Sequence, residues 1–161
     1  MTSAGNLTVV GSTFRNNSGD GLRLAAPSGS LRATVERSVF DGNGNGVDIL
    51  GSTPTVWILD SLVRGHTGVG VSATLNTLTF GNVYIVRCAI TDNGIGMSAQ
   101  AVASGAGVIL FVSNSSILGN ATGWSSSGPP GSGYGYIFSL GNNSIAFNLD
   151  GTTFDDTTTT H

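Results

Sequence analysis

One short phrase is written six times along this chain, and nothing else in the sequence narrows its fold as much. The clearest copy is Ser38-Val-Phe-Asp-Gly-Asn-Gly-Asn-Gly46, followed by Val47 and Ile49. The apolar residue before the turn serves as an anchor: Phe14, Phe40, Val63, Ile90, Ile117 and Ile145, spaced by 26, 23, 27, 27 and 28 residues. Three residues after each anchor stand Asn17, Asn43, His66, Asn93, Asn120 and Asn148. Two before stand Ser12, Ser38, Ser61, Cys88, Ser115 and Asn143, and five before stand Val9, Val35, Ile58, Ile85, Val112 and Leu140. Four columns in register predict a stacked array, in which each unit buries its apolar face only against its neighbours.

Within a unit the apolar residues alternate with polar ones, the two-residue period of a strand. Coil two points Ala33, Val35, Ser38, Phe40, Val47 and Ile49 inward, and the other coils follow it. In coil six this register sends Phe138 and Leu140 inward and Ser139 outward. Glycine, proline and polar clusters close the coils at 25–30, 51–54, 74–82, 100–107 and 125–135. Coils wound in one direction stack their strands in parallel. Six of them make a rod roughly 29 Å long at ~4.8 Å per strand. The expectation is one all-β solenoid domain over residues 1–156, with a frayed tail at 157–161.

Composition agrees and removes several function classes. Charged residues are 9% of the chain and there are 25 glycines, a poor mixture for helices. There is no lysine and the net charge is -3, so the footprint of a nucleic-acid binder is missing. No apolar run is long enough to span a membrane as a helix. Met1-Thr-Ser-Ala-Gly5 lacks the basic and apolar regions of a signal peptide. The lone cysteine, Cys88, sits in the serine column and reads as a small buried residue.

The repeated elements Ser38-Val-Phe-Asp-Gly-Asn-Gly-Asn-Gly46 and Ser115-Ser-Ile-Leu-Gly-Asn-Ala-Thr-Gly123 resemble the coil consensus of the right-handed parallel β-helix proteins, the pectin-lyase-like superfamily. The resemblance runs from about residue 6 to 151. It implies a right-handed parallel β-helix of about six coils and an extracellular or cell-surface setting. Enzymes of that family are polysaccharide lyases, which use calcium held by acidic residues and an arginine base, and hydrolases with clustered aspartates. Here Asp20, Asp41, Asp48, Asp60 and Asp92 form no column of neighbouring carboxylates. Arg64-Gly65-His66 is faintly similar to the hydrolases' Gly-His-Gly element, although His66 also fills the asparagine column. A lyase or glycoside hydrolase would therefore place its site in a groove beside the long loops, with Asp48, His66, Arg64 and Asp92 as its residues. Asp41, Asn43 and Asn45 match the first half of a calcium loop, but its twelfth position is Ser52 where a bidentate glutamate is required.

Three outward columns remain. Arg15, Asp41 and Arg64 share one position, and Arg37, Asp60 and Arg87 share another, each aspartate between two arginines. Such surface pairs contribute little individually and are expected to fix coil register. The third column carries Trp57, Tyr84 and Phe111, beside Leu59 and Val86, with Ile109 and Ile137 flanking. An apolar patch of this size on a polar rod marks an interface. It is a face for a protein partner or for self-association into a homo-oligomer, a surface covered by the chain's own loops, or an aromatic platform for sugar rings. The preferred function is a non-catalytic module presenting a surface to a protein partner or a polysaccharide. The alternatives are the carbohydrate-active enzyme and a structural scaffold segment of a larger secreted protein.

Overall fold

The computed structural model describes residues 5–129 and 133–150, and these contain fifteen strands and no helix. The strands build a three-sided solenoid. One side stacks β1 (Gly5–Val10), the second halves of β3 (Asp20–Glu36) and β5 (Asn45–Leu59), then β8 (Phe80–Val86), β11 (Gly107–Ser113) and β14 (Tyr134–Ser139). The second side stacks six three-residue strands: β2 (Thr13–Arg15), β4 (Val39–Asp41), β6 (Leu62–Arg64), β9 (Ala89–Thr91), β12 (Ser116–Leu118) and β15 (Ser144–Ala146). The third side stacks the first halves of β3 and β5 with β7 (Val69–Leu75), β10 (Ile95–Ala101) and β13 (Thr122–Ser127). Because β3 and β5 turn the corner without a break, the first and third sides form one nine-stranded sheet.

Every strand pair is parallel, and the register matches the repeat: Val35 faces Ile58, Ile58 faces Ile85, and Ile85 faces Val112. The solenoid makes about five turns rather than six, since the sixth rung supplies only β14 and β15 among the described residues. Inside runs one core, with Val35, Phe40, Ile58, Val63, Ile85, Ile90, Val112 and Ile117 fully enclosed. Phe14 and Phe40 stack in it at 5.0 Å between ring centres.

Two columns of left-handed backbone turn each rung. Gly11, Arg37, Asp60, Arg87, Asn114 and Asn142 hold φ between 49° and 57° before the short strand. Asn16, Gly42, Gly65, Asp92, Gly119 and Phe147 hold φ between 56° and 67° after it. This conformation suits glycine and asparagine and is costly for most other residues. It aims each N–H along the rod: Arg37 donates to the Leu59 carbonyl at 3.1 Å and Gly42 to the Arg64 carbonyl at 3.0 Å.

The sixth rung departs from the expected register. Ile137 pairs with Leu110 and packs on the core, Phe138 pairs with Phe111 on the outer face, and Ser139 pairs with Val112. Leu140, expected inside, is 60% exposed. The cause is one extra residue between Ser139 and Asn142, at the Leu140-Gly141 step, where Gly141 has φ of 102°. A single insertion moves every side chain on one side of it to the opposite face. The expected end of the domain at 156 and the frayed tail at 157–161 lie outside the described residues.

Candidate functional site

The asparagine column lies at the turn after the short strand, and from Asn43 to Asn148 its side chains are buried there, while Asn17 at the end is exposed. The Asn17 N–H and Nδ2 both donate to Asn43 Oδ1, at 3.0 and 2.8 Å. The His66 N–H donates to Asn93 Oδ1 at 3.1 Å, the Asn93 N–H to Asn120 Oδ1 at 3.0 Å, and the Asn120 N–H to Asn148 Oδ1 at 3.0 Å. The Nδ2 groups of Asn43, Asn93, Asn120 and Asn148 reach a core-strand carbonyl, as Asn43 does to Phe14 at 3.0 Å and Asn120 to Ile90 at 3.2 Å. His66 occupies one place in this series as an amide mimic. Its Nδ1 faces the Asn43 N–H at 3.0 Å and the Asn43 carbonyl at 3.3 Å, and accepts the N–H when that nitrogen carries no proton. The residue is 2% exposed, and burial holds its pKa below the ordinary histidine range despite the nearby Asn43 and Phe40 carbonyls and the Asp41 charge.

A second polar column runs before the short strand. The Ser12 N–H donates to Ser38 Oγ at 3.2 Å and the Ser38 N–H to Ser61 Oγ at 3.1 Å. Cys88 takes the same place with its thiol directed at the Ile58 and Val86 carbonyls, and burial pushes the thiol pKa up to about 11. That is inert packing rather than a nucleophile.

The sequence candidates for chemistry do not converge. Asp41 is clasped by Arg15 at 2.7 Å and Arg64 at 3.2 Å, and the Arg64 and Arg15 hydrogen bonds hold its carboxyl below the ordinary range. Asp92 sits at a left-handed corner one rung on, close enough for its charge to bear on Arg64. Asp48 is on the third side of the rod, hydrogen-bonded by Ser72 and 3.7 Å from Arg23. His66 is enclosed in the core wall. The three residues of the calcium pattern are engaged in different bonds: Asp41 with its arginines, Asn43 within the amide column, and Asn45 between Asp20 at 2.9 Å and the Val69 N–H at 2.8 Å. Among the described residues no three acidic, histidine or cysteine side chains gather as a metal would need. Among the described residues the surface has shallow depressions, including one of about 350 Å³ lined by Asn16, Asn17, Ser18, Gly42, Asn43, Gly44 and Thr67, and one of about 280 Å³ lined by Ala25, Pro27, Leu50, Gly51 and Asn76. Neither has a titratable side chain in its wall.

The outer face of the first side is of a different character. Trp57, Tyr84, Phe111 and Phe138 stack rung upon rung, with ring centres 5.7, 5.1 and 6.1 Å apart and planes within 21° of parallel. On β14, Tyr134 and Tyr136 stack at 5.6 Å, and Tyr136 leans on Phe138 at 5.6 Å. These three rings are 48%, 44% and 45% exposed. Phe80 lies over Gly107, where the missing Cβ leaves room for its ring. Leu59 and Val86 continue the apolar strip on one flank and Ile109 on the other. Leu78 of the loop before β8 and Phe80 at the first position of β8 stay exposed on the surface. Of this face, Phe138 was expected inside, and Tyr134 and Tyr136 went unread in the sequence. The alternation Tyr134-Gly-Tyr136-Ile-Phe138 was the signal for them.

Comparison of the chain with family models, with curated proteins and with solved structures found no match.

Proposed function

We propose that the chain is a non-catalytic β-helix module, of the pectin-lyase-like kind in its winding, whose ring face docks a protein surface. The observation that supports this best is the way the rings lie. Each inner ring spends both faces on its neighbours in the stack and turns its edge outward. Sugar recognition by an aromatic platform needs an open ring face, and Tyr84 and Phe111 have none to offer. Ring edges with aliphatic neighbours suit the apolar centre of a protein interface instead. The groups required for chemistry are meanwhile tied up in bonds between rungs, which favours a binding role over a lyase or hydrolase. The same bonds favour reading the amide column as an asparagine ladder that holds the rungs in register.

Two measurements test the reading. A photo-crosslinking phenylalanine analogue placed at Phe138 should yield polypeptide adducts in the chain's native surroundings, and the same analogue at Ser98 on the third side should yield none. Equal adducts from both positions, or none from either, count against it. Release of reducing ends or unsaturated sugars from plant and bacterial polysaccharides should stay at background, and turnover that Asp48→Ala or His66→Ala abolishes would restore the enzyme.

A further inference from the structure

The identity of the docked protein can be taken one step further, resting on the docking reading above. Arg32 and Glu36 both stand on the outer face of β3, on either side of Thr34 at the head of the ring column. Arg32 is exposed and belongs to no ion pair among the described residues, whereas Arg15, Arg23, Arg37, Arg64 and Arg87 each have a carboxylate within 3.9 Å. Glu36 meets Arg37 through Oε1 at 3.2 Å, and its other oxygen makes no ion pair among the described residues. An unpaired cation and a half-used anion therefore flank the same apolar strip, one on each side.

We propose that the partner is a second copy of this chain, packed side by side with its rod parallel to the first, about a two-fold axis running along the ring column. Such an axis lays the column Trp57, Tyr84, Phe111 and Phe138 against its own copy. It exchanges the flanking columns, so Arg32 of each chain meets Glu36 of the other, and both pairs form on the same rung. An isologous interface needs this self-complementarity. An axis at right angles, with the rods antiparallel, brings Arg32 and Glu36 opposite Ile109 and Ser113, or one rung further on opposite Tyr136 and Leu140, and leaves both charges unmatched. Six strands of six residues give a face of roughly 600 Å² in projection, close to the ~800 Å² of accessible surface that each partner buries in a standard interface. The rings supply burial and the two charge pairs supply orientation.

The test is solution mass together with charge reversal. The chain at about 100 μM in low salt should run at twice its 16.3 kDa by sedimentation equilibrium. Arg32→Glu and Glu36→Arg should each weaken dimerisation tenfold or more while leaving the circular dichroism spectrum and melting temperature unchanged. Mixing the two variants in equal amounts should restore the dimer, because one chain then offers two negative charges and the other two positive ones. A wild-type monomer overturns the inference, and so does a dimer indifferent to both reversals or one that mixing fails to rescue. Polypeptide adducts at position 138 from a different protein, with a monomeric chain, would sink the self-pairing and leave the docking reading standing.

Discussion

His66 shows how much one side chain in a repeat is constrained by its column. It does what its neighbouring asparagines do, accepting a backbone N–H on the rung below, but only while Nδ1 carries no proton. Protonation turns that acceptor into a donor facing another donor. The folded state therefore binds fewer protons than the unfolded chain once pH drops below the ordinary 6.5 of histidine, and stability is lost as pH falls toward the depressed folded value. Asp41 and Asp60 are held below 3.8, Asp41 by Arg64 and Arg15 and Asp60 by Arg87, so their contribution fades only in a separate, more acidic window. His66→Asn should flatten the fall in melting temperature between pH 7 and 5 and leave the steeper loss below pH 4 in place. His66→Ala should cost about 1–3 kcal/mol at pH 7, measured by denaturant titration, since it leaves the Asn43 N–H buried without an acceptor. Cys88, with its thiol at about 11, should resist alkylation in the native protein and react at once in guanidinium. The sequence placed both residues in their columns. It could not say that His66 would be a neutral acceptor, because that depends on which ring nitrogen meets the rung below.

At the scale of strands and turns, the columns divide into those that hold and those that orient. Asn93 accepts the His66 N–H and donates to Asn120 and to the Val63 carbonyl, all away from water. Asn93→Ala should therefore cost about 3 kcal/mol, against about 1 kcal/mol for Asn17→Ala, whose side chain only donates at the end of the series. The ion pairs at the corners are exposed and should contribute far less, although they sit where the backbone is least comfortable. Arg37, Asp60 and Arg87 all carry left-handed φ, and their side chains meet across rungs only in the Asp60–Arg87 pair, Arg37 turning instead to Glu36. The closures expected as loops at 25–30 and 51–54 are continuous strand inside β3 and β5, and the register of β14 was also misjudged in advance. Counting back from Ile145 assumes a constant distance between anchor and strand, and the extra residue at Leu140-Gly141 broke that assumption. Deleting Leu140 should be tolerated with little change in melting temperature, whereas deleting Ile109 from β11 should unfold the rung.

For the molecule as a whole, each rung is supported only by the rungs above and below it, so resistance to opening should rise from the ends to the middle. Hydrogen exchange should be slowest at Val83, Ile85 and Ile90 and fastest at Ser144–Ala146 on β15. The solenoid itself was legible because its signal is repetition, which survives changes in any single residue. The ring face was half legible, because outwardness follows from alternation while the way rings stack, edge or face to solvent, follows only from their neighbours' coordinates. The left-handed corners have a consequence for how such a chain can grow. Arg87 and Asn114 occupy equivalent bends 27 residues apart, so each junction finds the same hydrogen-bonding mates one storey up. A gene in which codons 88–114 are written twice should encode a taller version of this molecule, extended by ~4.8 Å in X-ray scattering and no less heat-resistant. A duplication that begins and ends at corners that are not equivalent would leave the added segment out of phase with both of its neighbours, so the unit of lengthening here is the complete storey.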